Sequence, residues 1–195
     1  MEHYYSEKQS SALKPEKKTI NVNNDSFELY TASGLFSKEH LDSASRLLIE
    51  HASLPGQGKI LDLGCGYGVI GISLLKKNPD LKVFFSDVNE RALLLTKKNL
   101  ELHGLKGKVI KSFLFENINE EFSVILSNPP MSAGKEVCFK LIKEAHTHLE
   151  KNGSLQIVAR HNKGGKSLKE KILEVFGNVE ELAKKSGFRI YKGEK

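Results

Sequence analysis

Hydrophobic positions change their spacing several times along this chain, and each change marks an element. Ile20 and Val22, then Phe27 and Leu29, alternate with polar residues on either side of Asn23-Asn24-Asp25, which predicts a β-hairpin. A helix is predicted from about residue 38 to 52, with Ser37 as its N-cap. From Lys59 onward short apolar runs alternate with amphipathic stretches. Strands are predicted near 59–63, 82–86, 108–112, 123–127 and 154–159, and helices near 69–77, 90–103, 135–150 and 165–176. In the last but one of these helices Val137, Leu141, Ala145 and Leu149 recur every fourth residue and define one buried face. Val179 to Ala183 and Phe188 to Tyr191 then face each other across Lys185-Ser186-Gly187 as a closing hairpin. Alternating strand and helix predicts an α/β, Rossmann-like parallel sheet, here with a C-terminal antiparallel hairpin and a small N-terminal β-hairpin extension. Residues 1–30 are assigned to an arm and that hairpin, and residues 31–195 to one catalytic-type domain without internal repeats.

The most informative stretch runs from Lys59 to Gly71. An apolar strand breaks at Gly64, Gly66 and Gly68 and resumes as a helix carrying Val69, Ile70, Ile72, Leu74 and Leu75, the pattern of a nucleotide cradle in which glycines let a ligand reach backbone amides. Gly66 to Gly71 satisfies G-x-G-x-x-G, and Asp87 follows at the spacing of a ribose-binding acid. The turn therefore fits both NAD and S-adenosylmethionine (SAM). Asp62, a carboxylate within the strand, suits a ligand with a cationic amino-acid end. Ser127-Asn128-Pro129-Pro130 ends a later strand, Val124-Ile125-Leu126, at the sheet edge where ligands bind in open parallel sheets.

With these residues in place, the chain resembles the class I SAM-dependent methyltransferases that carry an Asn-Pro-Pro motif. More narrowly it is similar to the small-subunit (16S) rRNA guanine-N2 methyltransferase-like family and its single-domain archaeal relatives. The resemblance rests on His3-Tyr4-Tyr5-Ser6, the loop Thr31 to Ser37, Asp62 to Gly71, Asp87-Val88-Asn89, Asn128-Pro129-Pro130, and Gly164-Gly165-Lys166-Ser167-Leu168. It implies a seven-stranded sheet and SAM as cofactor. Phe36, Asp62, Gly64, Gly66, Gly68, Asp87, Val88, Asn89, Ser112, Phe113 and Asn128 are the implied cofactor contacts, with Asp87 on the ribose hydroxyls. Phe113 departs from the acidic or amide residue that many relatives place near adenine.

The implied target is an exocyclic base amine, a poor nucleophile because its lone pair is delocalised into the ring. Accepting both amine protons on the Asn128 side-chain oxygen and the Pro129 carbonyl would localise that pair, with Pro129 and Pro130 stiffening the backbone. Met131 stands where relatives often carry an aromatic, so base stacking is expected from it or from Phe36, Tyr4 or Tyr5. Guanine N2 and cytosine N4 both fit. A tRNA, DNA or protein-amide substrate, and a noncatalytic RNA-binding role, stay open beside rRNA.

Composition adds the partner. The 195 residues carry a net charge of +6, which favours a polyanion. Arg160, Lys163, Lys166, Lys169 and Lys171 cluster against the single acid Glu170 after the fifth predicted strand, and Arg160, Lys163 and Lys166 are the expected phosphate contacts. His161 is expected to face solvent rather than act as a base. The partner expected is RNA, in small-subunit rRNA or a pre-ribosomal particle. Two cysteines, Cys65 and Cys138, form neither a disulfide framework nor a metal spacing, so no metal is expected. No apolar run reaches membrane-spanning length, and no signal-peptide core opens the chain, so a cytoplasmic location is expected.

Overall fold

The structure is a computed structural model that describes residues 14–22, 25–32, 41–129 and 134–195. Strands β1 (Pro15–Val22) and β2 (Asp25–Ala32) pair antiparallel as the expected hairpin. Helix α1 (Ser43–His51) follows, then β3 (Lys59–Leu63), α2 (Val69–Lys77), β4 (Lys82–Asp87), α3 (Glu90–Leu102) and β5 (Lys108–Lys111). The second half comprises β6 (Phe122–Ser127), α4 (Lys135–Thr147), β7 (Leu149–Arg160), α5 (Lys166–Phe176), β8 (Glu180–Lys185) and β9 (Phe188–Glu194).

One seven-stranded sheet runs in the order β5-β4-β3-β6-β7-β9-β8. Strands β3 to β7 are mutually parallel, and β9 inserts antiparallel between β7 and β8. This is the Rossmann-like methyltransferase sheet that the resemblance implied.

Both faces of the sheet are covered, so its strands are apolar on both sides. Ile60, Val124, Leu126, Val158 and Ile190 point toward the layer of α1, α2 and α3, which also receives the N-terminal hairpin through Leu29. Leu61, Ile125, Leu155, Ile157 and Tyr191 point toward α4 and α5. Helix α2 lies close on the sheet because Gly71 has no side chain: a Cβ there would come within 2.3 Å of the Phe85 ring.

Three boundaries differ from the sequence reading. Helix α1 is capped by Asp42, whose Oδ1 accepts from Ala44 N at 3.1 Å and Ser45 N at 2.9 Å, so residues 41 and 42 precede the helix. Ser37 lies outside the described residues. Helix α4 ends at Thr147, and the apolar Leu149 begins β7 instead of closing the helical stripe. Strand β7 is twice the predicted length because it takes in a turn, with Asn152 at φ +64° and Gly153 too close to Glu150 O and Phe122 O to carry a Cβ.

Candidate active site

The site forms along the carboxyl ends of β3, β4, β5 and β6. Its foundation is the turn after β3, where Gly64, Gly66 and Gly68 all adopt left-handed φ values of +74°, +58° and +86°, open to glycine and strained for other residues. The turn is fastened to the end of β4. Gly64 N and Cys65 N donate to Ser86 O at 2.8 and 2.9 Å, and Gly66 N donates to Asp87 Oδ2 at 2.9 Å. Gly68 N closes back onto Cys65 O at 2.9 Å.

Those bonds correct the expectation that the glycines leave backbone amides free for a ligand. Four amides that an anion would need are already committed within the protein, and Gly71 N is held by Asp62 Oδ2 at 2.9 Å. The turn offers glycine surface beside the Asp87 carboxylate instead, which suits a cofactor without a pyrophosphate.

A cavity opens above it. Its walls include Gly64 and Gly66 from the turn, Asp87 at the end of β4 and Val88 just after it, and Ser112 and Phe113 after β5. Asn128 and Pro129, after β6, close the far side. Gly64 has nothing within 4 Å of a virtual Cβ. Ser86 Oγ, completely buried in the same wall, meets no hydrogen-bond partner among the described residues. A cavity with open glycine surface, an orphaned hydroxyl and a carboxylate at the end of β4 fits a nucleoside with an amino-acid arm.

Three expected contacts stand behind this wall. Asp62 is almost wholly buried beneath the turn, and its second oxygen, Oδ1, has no partner among the described residues. Burial, with repulsion from Asp87, holds its carboxyl up at about 7 against the Gly71 hydrogen bond that lowers it. Asn89 is the N-cap of α3, its Oδ1 accepting from Arg91 N and Ala92 N, while its own N–H donates to Asp87 Oδ1 at 2.9 Å. Gly68 begins α2, where a Cβ would press on Thr96. These three residues shape the site from outside the cavity.

Asp87 thus holds the Gly66 and Asn89 amides at the edge of the cavity. Ser112 Oγ accepts from Asn117 N at 3.0 Å and braces the loop that presents Phe113. Cys65 is buried, and burial first, then Asp87 and Asp62, push its thiol up, which keeps it protonated and inert.

At the other end of the cavity Asn128 has a defined amide orientation. Its Nδ2 donates to Asp42 Oδ1 at 3.3 Å and to Ser45 Oγ at 3.1 Å, both at the start of α1. A carboxylate only accepts, so the nitrogen must face α1 and the amide oxygen is left without a protein donor among the described residues. Ser127 Oγ ties the same strand end to Leu63 O at 2.9 Å. Pro130, Met131 and Phe36 lie outside the described residues.

Sequence reasoning missed Asp42 and Ser45, the wall residues Tyr67 and Leu114, and an apolar side made by Val137, Cys138 and Leu141 of α4. Only the left-handed Leu114, at φ +49°, departs from ordinary backbone, and nothing in its sequence signals that. Burial pushes the Tyr67 phenol up, with the Asp42 carboxylate adding to it.

Arg160, Lys163 and Lys166 are all exposed at the carboxyl end of β7, the strand beside β6. The hairpin tip of β8 and β9 joins them. His161 N donates to Gly187 O at 2.9 Å, and the Arg160 guanidinium lies 4.6 Å from the Phe188 ring centroid. His161 is half-buried rather than fully solvated, its Nδ1 2.7 Å from Tyr191 Oη. Among the described residues no cluster of His, Cys, Asp or Glu side chains is placed to hold a metal ion, and no helix is long and apolar enough to cross a membrane.

Comparison with known proteins fits this geometry. The methyltransferase small domain model matches residues 26–192. An uncharacterized Bacillus subtilis protein, YbxB, is 40% identical over the whole chain and 98% of its own length. Ribosomal RNA small subunit methyltransferase C of Hamiltonella defensa is 36% identical over 85% of this chain, which spans about half (49%) of that relative's length. Among solved structures, a T. thermophilus 16S rRNA N2 methyltransferase in complex with AdoMet and guanosine superposes with a TM-score of 0.79 at 22% identity. That match covers 96% of this chain and 52% of the other.

Proposed function

The chain belongs to the methyltransferase small domain family, and on that premise we propose that it methylates an exocyclic base amine in RNA, in small-subunit rRNA, with SAM as donor. The observation that carries the reading is the Asn128 amide. Asp42 and Ser45 hold its nitrogen, which leaves its oxygen to the cavity.

The cavity residues divide into two groups. Asp87 and Val88 serve the cofactor's ribose, Ser112 and Phe113 its adenine, and Gly64 and Gly66 its amino-acid arm, with Asp62, Gly68 and Asn89 fixing the turn behind them. The resemblance adds Phe36, outside the described residues, as a further cofactor contact. When bound, SAM supplies a methyl group already activated by its sulfonium, so no strong base or covalent nucleophile is required.

Asn128 Oδ1 and Pro129 O accept the two amine protons and aim the nitrogen lone pair, a positioning role that carries much of the rate in such transfers. The resemblance assigns stiffening of this backbone to Pro130 and cover of a base face to Met131, both outside the described residues. Arg160, Lys163 and Lys166 hold phosphates of the same strand, and the target base is unpaired or flipped from its stack. Guanine N2 and cytosine N4 both satisfy the two acceptors. The Hamiltonella relative, a ribosomal RNA small subunit methyltransferase, supports rRNA, and the T. thermophilus neighbour, a 16S rRNA N2 methyltransferase, supports an N2 target.

The test is transfer of labelled methyl from SAM to purified small-subunit rRNA and to tRNA, followed by nucleoside digestion and mass spectrometry. Labelled N2-methylguanosine or N4-methylcytidine from rRNA is the expected product. Label confined to tRNA moves the substrate, and no label in RNA despite bound SAM refutes the reading.

A further inference from the structure

Two acceptors for an amine do not by themselves choose a base, and the same wall holds a third. Asp42 is half-buried and lines the cavity beside Asn128. Its Oδ1 is fully engaged, accepting from Ala44 N at 3.1 Å, Ser45 N at 2.9 Å and Asn128 Nδ2 at 3.3 Å. Its Oδ2 has no donor among the described residues. A residue needed only to cap α1 could as well be Ser or Thr. A carboxylate held against the amide that grips the amine presents a second acceptor to whatever lies next to that amine.

We infer that Asp42 reads the ring nitrogen adjacent to the target amine and so restricts the substrate to guanine; this rests on the base-amine reading above. Guanine carries a ring N1–H beside its N2 amine, and that donor satisfies Asp42 Oδ2 while the amine meets Asn128. Cytosine has a lone pair at N3 beside N4, and adenine a lone pair at N1 beside N6. Either base sets an acceptor against an anion, leaving both unpaired in a partly desolvated wall, a penalty that recognition sites use to reject near-isosteres. One side chain then does two things: it fixes the Asn128 amide through Oδ1 and selects the base through Oδ2.

The test uses an rRNA fragment centred on the nucleotide found by the labelling experiment, synthesised with guanine, 2-aminopurine or cytosine at that position. 2-Aminopurine keeps the 2-amine but has a lone pair in place of N1–H. Wild-type protein should favour guanine over 2-aminopurine in kcat/KM by roughly 10- to 100-fold. In Asp42→Asn the amide oxygen still caps α1 and accepts from Asn128, while an NH2 replaces Oδ2. Its melting temperature should hold, guanine turnover should fall roughly 10- to 100-fold, and the preference should collapse or invert toward 2-aminopurine. Parallel loss on both bases, with the ratio unchanged, overturns the inference and leaves Asp42 a structural cap. Wild-type protein that uses 2-aminopurine or cytosine as readily as guanine overturns it without any variant. Absence of methyl transfer to every RNA refutes the underlying reading and this inference with it, and is distinct from an active enzyme that fails to discriminate.

Discussion

Asp62 lends itself to a quantitative test because its carboxyl sits in the core with one oxygen bonded and the other without a partner among the described residues. Its folded-state value of about 7 lies far above an ordinary value of 3.8. At about 1.4 kcal/mol per unit, that rise corresponds to roughly 4 kcal/mol between the two protonation states. The folded protein binds this proton more tightly than the unfolded chain, so the group favours folding fully below pH 3.8. That contribution is lost as pH rises toward 7. About 2 kcal/mol of it falls between pH 5 and pH 7.

Asp62→Asn keeps an oxygen for Gly71 N and removes the ionisation. Its buried NH2 lowers stability by a pH-independent amount, on the order of 1–3 kcal/mol. The informative quantity is therefore the difference between variant and wild type. Urea unfolding followed by circular dichroism at pH 5, 6, 7 and 8, without cofactor, should show the variant gaining on wild type by about 2.5 kcal/mol as pH rises. A difference that stays within about 0.5 kcal/mol over that range would mean that Asp62 is ionised throughout, and the desolvation argument would be wrong.

Other substitutions probe the site directly. Asn128→Ala should abolish methyl transfer while titration calorimetry still finds SAM binding; retained turnover would remove the amide from amine positioning. Asp87→Ala should weaken SAM binding at least about tenfold, since a charge-assisted hydrogen bond contributes about 1.5–3 kcal/mol, and an unchanged Kd would take it off the ribose. Changing Lys163 and Lys166 to Ala should reduce the slope of log K against log salt for RNA binding by about two, whereas an unaltered slope would return that loop to solvated surface. Asn99→Ala removes three hydrogen bonds from a fully buried amide and should lower stability by roughly 2–4 kcal/mol, read as a fall in Tm; a fall of less than about 2 °C would contradict it.

What could be read from the sequence was what is encoded locally. The glycine turn, the strand and helix alternation and the closing hairpin all depend on residues within a few positions of one another, and they stand where periodicity put them. Boundaries failed where two signals competed. Ser37 and Asp42 are both acceptable caps, and Leu149 continues a helical stripe while also opening a strand. The site's second half was hidden for a different reason. Asp42 and Asn128 are 86 positions apart, and no local pattern announces that one will hold the other. Val137, Cys138 and Leu141 form an apolar stripe like that of any packed helix, so their place in the cavity wall emerges only once α4 docks. The glycines misled in detail: their spacing suggested free amides, whereas Ser86 O and Asp87 consume them.

The Asn99 side chain has a consequence beyond its hydrogen bonds. From α3 it grips both backbone groups of Tyr30 in the N-terminal hairpin and the carbonyl of Tyr67 in the glycine turn, while His103, just beyond the same helix, reaches Glu28 O. One carboxamide therefore belongs to two segments that sequence places nearly forty residues apart. Opening the hairpin strands the donors that steady the turn, so the two are one cooperative unit of local unfolding rather than an appendage and a core. Slow amide exchange at Tyr30 then reports on the integrity of the turn itself, which gives a spectroscopic handle on the cavity from a residue that never touches it.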